Sequence, residues 1–125
     1  MSFIKQDQPG NLGSSIIIDM AANTTAQNNV FGGACVLYAV MIDATENTKE
    51  DVYLKMDDDV TIASAATKPA LQFFCQAGST MQYTIPEGIA MGAGLSYYLS
   101  ITTGSEAIAG AKNPTGVVKV YLVGT

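Results

Sequence analysis

The chain has 125 residues, which suits one domain able to fold on its own core. Apolar residues make up 48% and charged residues 14%, the net charge is −5, and the mean hydropathy is +0.22. All six basic residues are lysines and arginine is absent, so the chain lacks the planar fork that grips phosphates and base edges. Nucleic acid and anionic membranes are therefore poor partners for it.

Residues 1–14 read as an extended N-terminal arm, in which Phe3, Ile4 and Leu12 are the side chains able to dock on a partner. This start carries no apolar core behind a basic segment, so no export signal is expected and synthesis is placed in the cytoplasm. Residues 15–20 hold the β-branched block Ile16, Ile17 and Ile18, a strand signal. Residues 23–29 are polar and turn-like, and Gly32 and Gly33 punctuate the entry to the next run. Residues 34–43 are nearly all apolar, as in a strand covered on both faces, and residues 44–50 form a polar loop.

Residues 51–57 alternate, which places Val52, Leu54 and Met56 inward with Tyr53 and Lys55 outward. Asp57, Asp58 and Asp59 then mark a water-facing turn, with a short strand expected at 60–62 and a helical turn possible at 63–66. Residues 70–76 are another apolar run. Residues 80–85 alternate with Met81, Tyr83 and Ile85 on one face, until Pro86, Glu87 and Gly88 stop the strand. Residues 95–102 alternate through Leu95, Tyr97, Leu99 and Ile101. The tract 103–115 is a long loop with room for a helical turn at 106–111. Residues 117–123 close the chain with Val118, Val120 and Leu122 on one face.

Seven to eight short strands without a long amphipathic helix give an all-β fold, a single antiparallel β-sandwich over residues 15–125. The spacing leaves jelly-roll-like and immunoglobulin-like connections both open.

Chemistry is thinly represented. Histidine, the commonest general base and metal ligand, is absent. The acidic run 57–59 lacks the glycine and distal glutamate of a helix-loop-helix calcium motif, and so reads as an exposed hairpin turn. Asp43, Glu46, Glu50 and Asp51 read as solvated turn residues. Cys35 and Cys75 lie inside apolar runs and behave as small buried hydrophobes, although sequence leaves an inter-sheet disulfide open. Tyr97 and Tyr98 point to opposite faces of one strand, so at most one can stack on a ligand. No catalytic residue, cofactor or metal site is assigned, and an enzyme is not expected.

From residue 51 onward the order of elements carries a resemblance. The strand 52–57 (VYLKMD) leads through Pro69 to 71–74 (LQFF). Ala77-Gly78-Ser79 turns into 81–85 (MQYTI), followed by Pro86-Glu87-Gly88-Ile89. Gly92-Ala93-Gly94-Leu95-Ser96-Tyr97 then leads to 101–104 and, after a loop, to 117–121 (VVKVY). This part resembles a small β-sandwich family of accessory virion proteins from tailed bacteriophages. The apolar segment 34–42 departs from that pattern.

The resemblance implies a structural role: a capsid decoration or cement protein on the outer head surface, partnered by the major capsid protein or other virion proteins. A homo-oligomer, with a trimer favoured, would suit local three-fold positions. The expected contact residues are Phe3, Ile4 and Leu12 of the arm and Val117, Lys119 and Tyr121 of the last strand. The alternative is a tail, vertex or fibre-associated module that binds a host glycan or another virion protein.

Overall fold

The structure is a computed structural model that describes residues 3–7, 14–62, 68–103 and 108–125. Its strands are β1 (Phe3–Asp7), β2 (Ser15–Asp19), β3 (Cys35–Asp43), β4 (Val52–Asp58), β5 (Leu71–Cys75), β6 (Thr80–Met91), β7 (Leu95–Ser100) and β8 (Lys119–Gly124). A 3-10 turn at Ile108–Gly110 interrupts the long loop before β8. Among the described residues no helix is long and apolar enough to cross a membrane.

Two antiparallel sheets face each other, one ordered β1-β2-β8-β3-β6 and the other β5-β4-β7. The pairings nest: β4 with β5, β3 with β6, and β2 with β8. Residues 23–30 run beside β7, where Gln27 and Tyr97 exchange both backbone hydrogen bonds and Val30 N donates to Leu95 O. The first half of the chain is thus a ribbon laid antiparallel to the second half and rolled into two layers. That nesting is a jelly roll, one of the two arrangements left open by strand spacing.

The alternating strands put one side chain in two between the layers. Ile17, Leu37, Val40, Ile42, Val120 and Leu122 come from the large sheet, and Val52, Leu54, Met56, Leu95 and Leu99 from the small one; all are fully buried. A side-chain hydrogen bond between two buried polar groups crosses this interior. Tyr97 of β7 donates its hydroxyl to Asp19 Oδ2 of β2 at 2.7 Å, with both residues buried.

Several expectations change in three dimensions. Residues 3–7 are the outer strand of the large sheet, paired along their length with β2 (Phe3 opposite Asp19, Asp7 opposite Ser15). Phe3 packs against the core from there, because the free edge of β2 offers a ladder and the side chain completes the apolar layer. Leu12 lies outside the described residues, as do 63–66.

Pro86 does not end its strand. β6 continues to Met91 as an edge strand, where a missing N–H breaks no ladder, and the register against β3 shifts between Leu37 and Ala39. Gly88 sits at that irregularity with φ +75, and a Cβ there would lie 2.3 Å from Val36 Cγ1. Residues 60–62 form no strand, and Ile62 N donates instead to Asn28 Oδ1 at 3.2 Å.

Lys55 points to the outer face of the small sheet, as its position requires, yet is fully buried with its ammonium 3.4 Å from Thr102 Oγ1. The chain after β7 folds back here: Ile101 N donates to Lys112 O, and Lys112 N donates to Ser100 Oγ. Alternation gives a side chain's direction, and the return of a distant segment decides whether that direction meets water.

Both cysteines are buried and free. Cys75 Sγ lies 3.6 Å from Ile42 O, at the opposite end of β3 from Cys35. Seven strand residues separate the two ends by roughly 23 Å, far beyond disulfide reach.

Candidate interaction surface

The nearly continuous apolar run of β3 is not covered on both faces. Cys35, Leu37, Val40 and Ile42 are buried between the sheets, whereas Val36, Tyr38, Ala39 and Met41 are only partly buried on the other side. β2 and β8 behave in the same way, with Ile16, Ile18, Tyr121 and Val123 opposite their buried residues.

Register aligns these outer side chains into rows across all five strands. One row runs Ile4, Ile18, Tyr121, Met41 and Gln82; the next runs Gln6, Ile16, Val123, Ala39 and Thr84. Neither row contains a charge. Ile4 is 62% exposed at the β1 end. A depression of about 230 Å³ opens among Ile16, Ala39, Met41, Tyr121 and Val123. With strands about 4.8 Å apart and side-chain rows about 7 Å apart, the two rows cover roughly 300–400 Å², apolar across β2, β8 and β3 and bounded by Gln6, Gln82 and Thr84 at the edges.

Charges border the patch on one side and are tied to local partners. Lys119 opposes Asp43 in the ladder and pairs with Glu46 at 3.2 Å, which raises the lysine pKa. Hydrogen bonds from the Thr45 hydroxyl and amide hold the Asp43 carboxyl below its usual range.

Of the contact residues expected from sequence, Ile4 and Tyr121 therefore share a row, and Lys119 lies two positions from Tyr121 on the same face. Phe3 faces the core instead. Val117 is 42% exposed but borders a different depression, of about 330 Å³, between the 21–23 and 113–118 loops. Sequence reading missed Ile16, Ile18, Ala39, Met41 and Val123. The signal is present as more apolar residues in β2 and β3 than one buried face can use; along 34–43 the same run equally suits a strand covered on both faces.

The remaining candidates are structural. Asn113 and Asn23, at the larger depression, accept the backbone amides of Thr24 and Thr25 at 2.9 and 2.8 Å. Tyr97 and Tyr98 are both buried, so neither offers a stacking face to a ligand.

Asp58 is no free turn residue. Its carboxylate accepts the amides of Gly92, Ala93 and Gly94 at 3.0, 2.9 and 3.3 Å, which pulls its pKa down. Asp57 is buried and accepts Ala70 N at 2.9 Å, and desolvation pushes its pKa up. Glu50 takes the Thr115 amide and hydroxyl, and Asp51 takes Ala77 N at 2.9 Å. Acidic residues in this chain fasten loops to strands, because a carboxylate can satisfy several unpaired amides at once.

No family model matches the chain, and no curated protein matches it. Among solved structures, it is similar to the Tobacco streak virus coat protein at 7% identity and TM-score 0.38, over 95% of this chain and 90% of that one. It is similar to FeII HppE at 11% identity and TM-score 0.32, over 90% of this chain and 42% of that chain. CapF with the inhibitor 3-isopropenyl-tropolone is similar at 7% identity and TM-score 0.31, over 97% of this chain and 30% of that chain. The chain thus spans less than half the length of the latter two. Likenesses this distant carry no functional argument, and a jelly roll hosts many activities.

Proposed function

We propose that this chain is a non-enzymatic structural component of a virion, a decoration protein on the outer head of a tailed bacteriophage. It docks through the outer face of its five-stranded sheet. The observation that carries the reading is that face: two charge-free side-chain rows crossing β1, β2, β8, β3 and β6, with a depression among them. The resemblance from residue 51 onward supports the virion assignment, and the small charged fraction of the chain suits a module that buries surface against partners.

Magnitudes favour repeated attachment. Seven of the ten side chains in the two rows are apolar, so burying the whole patch gives about 5–7 kcal/mol gross at 25 cal/mol per Å² of apolar surface. Lost rotational and translational freedom costs on the order of 4–15 kcal/mol, so one copy binds weakly through this face alone. A trimer engaging neighbouring shell subunits gains avidity without new contacts, as a decoration protein requires.

The test is to count copies relative to the major shell protein in purified particles by quantitative mass spectrometry. A ratio of one to a few shell subunits supports the decoration reading. A handful of copies per particle transfers the protein to the tail, a vertex or a fibre, and none would sink the virion reading. Particles rebuilt with Met41→Lys or Tyr121→Lys protein should lose most of it, and undiminished attachment would remove the sheet face from the account.

A further inference from the structure

Four of the ten aromatic side chains gather at one corner of the sandwich, in two ring contacts. Phe73 turns inward, packs against the core and meets Tyr83 of β6, with ring centroids 5.1 Å apart. Phe74, the next residue, turns outward and meets Tyr53 of β4 at 5.5 Å, the two rings inclined by 50°. Tyr53 faces outward because Val52 and Leu54 beside it are buried between the sheets, and Phe74 is its ladder partner. The Tyr83 hydroxyl also donates to Phe74 O at 2.6 Å, which ties the backbone of edge strand β5 to the five-stranded sheet. The outer pair of rings is thus held from beneath, and a ligand that stacks on it has little to order first.

Phe74 is 37% exposed, which leaves about 60–90 Å² of its surface open. That is about a tenth of the roughly 800 Å² per partner in a standard protein interface, so the rings suit a small molecule. The ladder row that holds them runs Phe74, Tyr53 and Ser100 and contains no charge. Lys55, two residues from Tyr53 on the same face, disfavours a cation over the rings. Its ammonium is buried toward Thr102, away from any anion that could settle there. Gln72, two residues from Phe74 and also on this face, is exposed and offers an uncharged donor and acceptor. The Tyr53 hydroxyl supplies a second such group. A fixed apolar platform beside neutral hydrogen-bonding groups matches a sugar ring, which carries C–H groups on a face and hydroxyls around its rim.

We infer that Tyr53, Phe74 and Gln72 form a binding site for a neutral hexopyranose unit of a saccharide. The sugar lays its C–H face on Phe74 with an edge against Tyr53, and the Gln72 amide exchanges hydrogen bonds with its hydroxyls. This face lies across the sandwich from the charge-free rows of the five-stranded sheet, so both can be occupied together. The site does not depend on attachment to a shell and is testable on the free chain. One partly open ring and a few solvent-exposed hydrogen bonds place its dissociation constant on the order of 1 mM.

The experiment is an NMR titration of the isotopically labelled full chain with lactose, cellobiose and maltose. At least one of them should give saturable shifts centred on the Tyr53, Gln72 and Phe74 amides. Phe74→Ala removes the apolar platform and should weaken that binding about 10-fold or more. Phe74→Tyr keeps the ring and should keep most of the affinity. Val60→Ala, which trims another exposed apolar residue beyond the far end of β4, should bind as wild type does.

Indifference to all three sugars would overturn the inference, as would shifts centred elsewhere or an unchanged affinity in Phe74→Ala. Equal response to benzyl alcohol would also overturn it, by marking the rings as a general apolar patch. Broadening of the same amides with protein concentration, in the absence of sugar, would assign the rings to a second copy of the chain instead.

Discussion

Tyr97→Phe removes one oxygen from the centre of the sandwich and tests whether a polar clasp joins the sheets. Tyr97 is 1% exposed and Asp19 fully buried, so the phenol–carboxylate bond at 2.7 Å has no water to replace it. Burial and the adjoining carboxylate push the tyrosine pKa far up, which keeps the hydroxyl a donor across the working pH range. The phenyl ring of the variant fills the same space, so the loss is that of one hydrogen bond to a carboxylate, about 1.5–3 kcal/mol.

In urea, with a slope of about 2 kcal/mol per M, the midpoint should fall by roughly 1 M, and Tm should fall by about 5–12 °C. Tyr121→Phe is the control. Its hydroxyl sits on the outer face, 4.0 Å from Met20 Sδ, and its loss should change stability by less than about 0.5 kcal/mol. A Tyr97→Phe loss below about 0.5 kcal/mol would refute the reasoning. So would strict additivity with Asp19→Asn, since partners in one hydrogen bond should couple by about 0.5–3 kcal/mol.

Gly88→Ala should cost about 2–4 kcal/mol in urea unfolding, because it puts a Cβ at positive φ and 2.3 Å from Val36 Cγ1. Asp58→Ala should lower Tm at pH 7 by freeing the Gly92, Ala93 and Gly94 amides. The folded pKa of Asp58 is depressed, so its contribution is present above the ordinary carboxylate range and is lost as pH falls through the depressed value. The gap between wild type and variant, read by thermal melts across pH, should therefore close in acid. Met41→Lys, on the outer row, should leave the unfolding free energy from urea titration within about 0.5 kcal/mol of wild type, which separates its effect on attachment from any effect on folding.

The all-β class and most strand positions were legible from the chain alone. Period-two alternation marks which side chains share a face, so Val118, Val120 and Leu122, or Leu95, Tyr97 and Leu99, could be grouped before any pairing was known. The absence of histidine and arginine is likewise a property of composition and needs no fold.

Tertiary structure decided what each face meets. Lys55 and Met41 both point away from the space between the sheets, yet Lys55 is buried at the Thr102 segment and Met41 lies on the open face. No local pattern distinguishes the two, because coverage depends on where residues dozens of positions away return. The same holds for Asp58, whose amide partners lie 34 to 36 residues along the chain. Alternation is a short-range consequence of backbone geometry and can be read locally. Burial, register and the meeting of polar atoms depend on long-range pairing, and only the folded sandwich contains them.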